Sequence, residues 1–157
     1  MTQYLKATRK FAMSAVAVMM IGIFSLQGLS ATPRERTAVD LLMQTIYYLR
    51  QEVPTLTDRR EYQTGTLNQG YYQDHKDYFN AGVEYAILAV GCEHAQDIDM
   101  GVFDAKGTVL ARDTNSSSVA IIKFVPRYTG YYTVRVTMYR TISTADAEYA
   151  YQVFYRN

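Results

Sequence analysis

The spacing of apolar residues changes twice along this chain. Phe11 to Leu26 is a mainly apolar run of 16 residues without a charge. Val39, Leu42, Met43, Ile46, Leu49 and Val53 then recur every three or four residues, the stripe of an amphipathic helix. Thr32 can cap that helix, Pro33 suits its first position, Glu35 completes a capping box and Pro54 stops it, so the pattern predicts a helix over 33–52. From about residue 57 the period falls to two. Tyr132, Val134, Val136 and Met138 alternate with Tyr131, Thr133, Arg135 and Thr137, which predicts a strand with one buried and one wet face. Tyr149, Tyr151, Val153 and Tyr155 form a last alternating strand, whereas Val83 to Val90 is apolar on both faces and reads as a central buried strand.

Between these segments lie turns. Met100–Phe103 and Thr108–Ala111 flank Asp104-Ala105-Lys106-Gly107 as a hairpin. Asn115–Ser118 and Thr141–Ala145 read as loops, and Val119–Val125 is a strand that Pro126 ends. Short strands separated by turns, with no second helical pattern, predict a mainly β chain. The expected fold is an antiparallel β-sandwich or jelly roll carrying one N-terminal amphipathic helix. The helix is expected to dock on the sandwich, because its polar face mixes Arg36, Asp40, Gln44, Arg50 and Glu52 without the basic bias of a membrane-surface helix.

The amino terminus reads as an address. Lys6, Arg9 and Lys10 precede the apolar run, and small residues follow at Gly28, Ser30 and Ala31. This is the layout of a bacterial secretory signal peptide over residues 1–31, with cleavage after Ser30 or Ala31. The expected organisation is then a helix and linker over 32–56 and a β-sandwich over 57–157. The signal carries three basic residues and no acidic ones, which leaves 13 Lys plus Arg against 15 Asp plus Glu, a formal charge of −2. Nothing in that balance suggests nucleic acid, whose binders show a basic face. A secreted or periplasmic protein with Cys92 as its single cysteine has no internal disulfide and must rest on its core. The chain has 15 tyrosines and no tryptophan, and 14 of those tyrosines follow the signal.

Several pieces in the strand region have a familiar order. They are Gly65-Thr66-Leu67-Asn68-Gln69-Gly70, Asp97-Ile98-Asp99-Met100-Gly101-Val102-Phe103-Asp104 with Gly107, Thr129-Gly130-Tyr131-Tyr132-Thr133-Val134-Arg135-Val136, and the strand from Tyr149 to Tyr155. Together residues 64–155 resemble the bacterial pre-peptidase C-terminal domain. The resemblance implies a jelly-roll β-sandwich of the kind appended to secreted proteases and removed during maturation. Tyr71-Tyr72-Gln73-Asp74-His75-Lys76-Asp77-Tyr78-Phe79 departs from the family's Asp-rich segment at that place. No protease precedes the region, so a free-standing version is expected to act in trans or differently.

Candidate chemistry is sparse. Asp97 and Asp99 are two apart on an extended segment, with Asp104 and Asp113 at hairpin ends. Hard oxygen ligands suit calcium, and related sandwich domains of collagenase-like enzymes bind it, so these four aspartates are the candidate metal ligands. The competing reading makes them turn and loop formers. His75 and His94 are the only histidines, and each reads as a satisfied surface residue rather than part of a metal site or of a nucleophilic pair with Cys92. No catalytic motif is present. Asn115-Ser116-Ser117 matches a glycosylation sequon, which matters only in a eukaryotic source. Tyr71, Tyr72, Tyr128 and Tyr131 are the candidate ligand-binding residues. Exposed rings can form a platform for a protein or a sugar, whereas rings on half-buried strands only fill a surface. The expected function is a non-enzymatic binding or accessory module for an envelope protein or polysaccharide. A carbohydrate module, a structural envelope subunit and a small hydrolase are the alternatives.

Overall fold

A computed structural model describes residues 35–142 and 146–156, so the predicted signal peptide and the Thr32-Pro33 helix start lie outside the described residues. Among the described residues the chain forms one helix, α1 (Ala38–Glu52), and nine strands. In order these are β1 (Leu56–Asp58), β2 (Gln63–Leu67), β3 (Tyr72–Phe79), β4 (Tyr85–Gly91), β5 (Ala95–Phe103), β6 (Val109–Asp113), β7 (Val119–Phe124), β8 (Gly130–Thr141) and β9 (Ala147–Arg156). The first sheet runs β1-β9-β4-β7, with β2 also on β9; the second runs β3-β8-β5-β6. Every pairing is antiparallel. The expected β-sandwich with one helix is therefore the fold.

The helix begins later than the sequence predicts. Residues 35–37 are not helical, and Thr37 is the cap. The Thr37 hydroxyl accepts from the Asp40 amide at 3.2 Å, and the Asp40 carboxylate accepts from the Thr37 amide at 3.0 Å. Thr37-x-x-Asp40 thus makes the capping box that Thr32-x-x-Glu35 was expected to make. It adjoins the stripe that is buried, Ala38, Leu42 and Ile46, spaced four apart. Met43 is one position further round and is exposed. At the other end the Val53 amide donates to the Leu49 carbonyl, and the proline that follows keeps Val53 out of helical geometry.

This stripe rests on β4 and β9. That contact explains why β4 is buried on both faces, as its unbroken apolar run predicts. It also explains β9, where Ala150, Gln152 and Phe154 are buried together with Tyr149, Tyr151 and Val153. Alternation in β9 therefore separates two buried environments, the inter-sheet core and the space under the helix. In β8 the alternation separates core from solvent, with Tyr132, Val134, Val136 and Met138 buried.

A polar cluster crosses the inter-sheet space. Asp77 of β3 is 2% exposed. Its carboxylate accepts from Arg59 at 3.1 Å, from Arg60 at 2.9 Å and from the Tyr151 hydroxyl of β9. Arg59 also donates to the Tyr78 carbonyl, and its guanidinium lies 5.1 Å from the Phe79 ring centroid. Two residues along β3, His75 stacks on Tyr151 at 4.5 Å between centroids, with Gln63 at 2.9 Å from Nδ1 and the Tyr149 hydroxyl at 3.0 Å from Nε2. His75 is thus half-buried between the sheets, not on the surface as expected. On the opposite side Asp113 of β6 reaches β7, accepting from the Ile121 amide at 2.9 Å.

Burial lowers the His75 pKa below the usual 6.5; the Asp77 carboxylate pulls it back up. Burial pushes the Tyr149 phenol up to about 12 and, with the Asp77 carboxylate, raises Tyr151 further. The unfolded chain therefore binds the extra proton first as pH falls below 6.5, and loses phenolic protons first as pH rises past 10.0. The melting temperature is expected to be highest between those limits and to fall on either side, with His75→Gln removing part of the acid limb. Asp77→Ala is expected to cost about 2–3 kcal/mol in urea unfolding, less than a fully buried pair because both guanidinium groups keep some contact with water.

Candidate functional site

The outer face of the four-stranded sheet collects the exposed aromatic rings of β3 and β8. Antiparallel register places Tyr72 opposite Thr137, Asp74 opposite Arg135, Lys76 opposite Thr133 and Tyr78 opposite Tyr131. On the next strand Gly101 stands beside Arg135 and Phe103 beside Thr133, and on the edge strand Arg112 stands beside Gly101. The four predicted ligand-binding tyrosines are all exposed: Tyr71 66%, Tyr72 52%, Tyr128 76% and Tyr131 61%. Tyr71 and Tyr72 lie at one end of the sheet; Tyr128 and Tyr131 lie at the other, with Tyr78 and Phe103. Tyr72 and Tyr131 thus stand at the two ends of this face, while Tyr71 and Tyr128 are exposed in the connections just before β3 and β8.

Arg135 organises the middle. Its guanidinium grips Asp74 through Nε at 2.7 Å and Nη2 at 2.9 Å, and lies 3.7 Å from the Tyr72 ring centroid and 5.1 Å from that of Phe103. The carboxylate hydrogen bonds raise its pKa further. Gly101 makes room for this arrangement, since a Cβ there would sit 2.9 Å from the Phe103 ring. Tyr78 and Tyr131 meet edge to face at 5.1 Å, and the Lys76 ammonium stands 5.8 Å from the Tyr131 centroid. Sequence reasoning missed Lys76, Phe103 and Arg135 as members of this face. The period of two marks each of them as outward-facing, but only strand pairing makes them neighbours.

The four predicted metal-binding aspartates do not form one cluster. Asp104 caps the β5–β6 turn, where its Oδ1 accepts from the Lys106 and Thr108 amides, each at 2.8 Å, and Gly107 supplies the positive φ the turn requires. These bonds hold the Asp104 carboxyl below its usual range. Asp113 spends both oxygens, on Asn115 and on the Ile121 amide. Asp97 sits at an irregularity in the β5–β8 pairing, opposite Arg140, and is 3% exposed, with Oδ1 buried and without a hydrogen-bond partner. Burial, then Asp97 and Asp113, raise the Asp99 pKa. Among the described residues no group of three or more His, Cys, Asp or Glu side chains is placed to hold a metal ion. A two-carboxylate edge, Asp97 with Asp99, is what remains for a cation.

A cleft of about 370 Å³ opens beside the helix start, lined by Glu35, Arg36, Cys92, Glu93, His94 and Glu148 among others. Arg36 donates to Glu93 at 2.7 Å, and His94 Nε2 lies 3.6 Å from Glu35. Cys92 is buried, as its apolar strand predicts. His75 engages Gln63, Tyr149 and Tyr151 instead, so the structure assembles no Cys92–His75 pair. No helix among the described residues is long and apolar enough to cross a membrane.

No protein-family model matches the chain, and no curated protein matches it. Among solved structures it is similar to Aeromonas hydrophila PliG, a periplasmic lysozyme inhibitor of g-type lysozyme, at 11% identity and a TM-score of 0.47, over 61% of this chain and 85% of that one. It is also similar to the pre-peptidase C-terminal domain of collagenase from Bacillus anthracis, at 14% identity and a TM-score of 0.47, over 62% of this chain and 89% of that one. The family named from residues 64–155 is therefore among the structures this chain resembles.

Proposed function

We propose that this protein is an exported, non-enzymatic binding module that engages a protein partner in the bacterial periplasm or outside the cell. The engaged surface is the outer face of the β3-β8-β5-β6 sheet. The observation that carries this reading is a sheet face with exposed tyrosines at both ends, Tyr72 at one and Tyr78 with Tyr131 at the other, and between them a guanidinium already held in place by Asp74. Tyrosine and arginine are enriched among the few residues that dominate binding energy at protein interfaces, and the rigid tyrosine ring loses little freedom on docking. The signal-peptide layout of residues 1–31 supports export.

Calcium enters this reading as a stabiliser at Asp97 and Asp99, supported by the unpartnered buried Oδ1 of Asp97 and the mutual repulsion of the carboxylates around Asp99. A cation bound only by the folded state raises the melting temperature. The expected result is a rise at millimolar calcium that chelator reverses and Asp97→Asn abolishes. An unchanged melt assigns these aspartates to loop structure alone.

The binding face is tested by capture from native envelope extract with the exported protein and a Tyr78→Ser/Tyr131→Ser variant. Both side chains are exposed, so the variant is expected to stay folded by circular dichroism. It is expected to lose about 2 kcal/mol of affinity for the captured partner, roughly thirtyfold in Kd. Equal capture by both proteins removes this face from the interaction.

A further inference from the structure

The two ends of the outer face differ in charge. Gly130 of β8 pairs with Phe79, and Phe103 of β5 pairs with Thr133, so the β7–β8 loop and the β5–β6 turn meet at one end of the sheet. That end presents Tyr78, Tyr128 and Tyr131 together with Lys76, Lys106 and Arg127, all exposed. Asp104 is the carboxylate on the turn there, and its Oδ1 is taken up by backbone amides. Asp97 and Asp99 lie towards the other end, near Thr137 and Arg140. We infer that the Tyr131 end of this face binds an acidic segment of a protein partner; this rests on the binding-module reading above.

Two observations select that occupant. The first is charge complementarity: Lys76 stands 5.8 Å from the Tyr131 centroid, and Lys106 and Arg127 are exposed on the turn and loop at the same end, so steering at this end favours an anionic surface. A second copy docking the same end would oppose like charges. The second is the state of the rings. At this end the Lys76 ammonium stands over Tyr131, and Tyr78 meets Tyr131 edge to face. A sugar platform needs open ring faces for stacking. Here hydroxyls and ring edges are offered beside cations, which suits carboxylates and the backbone of a polypeptide.

The test uses the exported full chain with poly-L-glutamate as the probe, beside polygalacturonate and a neutral β-glucan. Poly-L-glutamate is expected to bind, and to weaken as salt is raised from about 50 to about 300 mM. The Lys76→Glu/Lys106→Glu/Arg127→Glu variant is expected to bind it about tenfold or more weakly. Lys123→Glu, on the other sheet, is expected to leave binding unchanged. Retention of polygalacturonate without poly-L-glutamate, retention of the neutral glucan, or a mass that rises with protein concentration would each overturn the inference, in favour of an acidic glycan, a neutral glycan or a second copy. Equal binding by the charge-reversed and parent proteins would overturn it as well. The tyrosine variant separates the two levels. If it loses the captured envelope partner while charge reversal changes nothing, the binding face stands and the acidic partner falls; if neither variant matters, both fall.

Discussion

The sandwich depends on one buried carboxylate. Asp77 belongs to the edge strand of one sheet, and its ligands come from the other sheet and from the corner between β1 and β2. A charge buried to that degree is tolerated only when several donors surround it, and Arg59, Arg60 and Tyr151 do so from three directions. Without disulfides in the described chain, this cluster and the Asp113 bridge on the opposite side pin the rims of the two sheets while the apolar core fills the middle. Hydrophobic packing alone sets distance but not register. The directed bonds from Asp77 and His75 set how β3 lies across β9.

With the core oriented in this way, each outer surface has a separate role. The outer face of the first sheet is closed by α1, whose Ala38, Leu42 and Ile46 stripe buries the apolar side of β4 and β9. Among the described residues the outer face of the second sheet has no such cover, and its side chains are the amphipathic and charged ones: tyrosine, arginine, lysine and threonine. Arg135 shows how that surface is made rigid. A bidentate carboxylate, a stacked tyrosine and a nearby phenylalanine fix its guanidinium in place.

The elements most legible in the sequence were those with a strong period. The Tyr132–Met138 alternation, the two-sided apolar run of β4 and the Asp104–Gly107 turn all appear where the pattern placed them. The helix was legible but not its start, because two threonine-led capping boxes lie five residues apart and only docking on β4 and β9 selects Thr37. Met43 shares the spacing of the buried stripe and misses it by one position. His75 read as a surface residue because its neighbours in sequence are polar; its partners Gln63, Tyr149 and Tyr151 are brought in by β2 and β9, and no local pattern names them.

The same division holds for function. The sequence by itself determined the strand-rich class, the single helix of the described residues and an excess of tyrosine, because each is a local or compositional property. It singled out Tyr71, Tyr72, Tyr128 and Tyr131 but left open whether they form an exposed platform or fill a half-buried strand surface; the structure shows all four exposed. Tertiary structure alone decided which residues meet. Strand pairing separates Asp104 from Asp97 and Asp99, joins Arg135 to Asp74, Tyr72 and Phe103, and puts the basic loops at the Tyr131 end. Register between strands distant in sequence carries that information, and it is fixed by burial and directed hydrogen bonds rather than by anything adjacent in the chain.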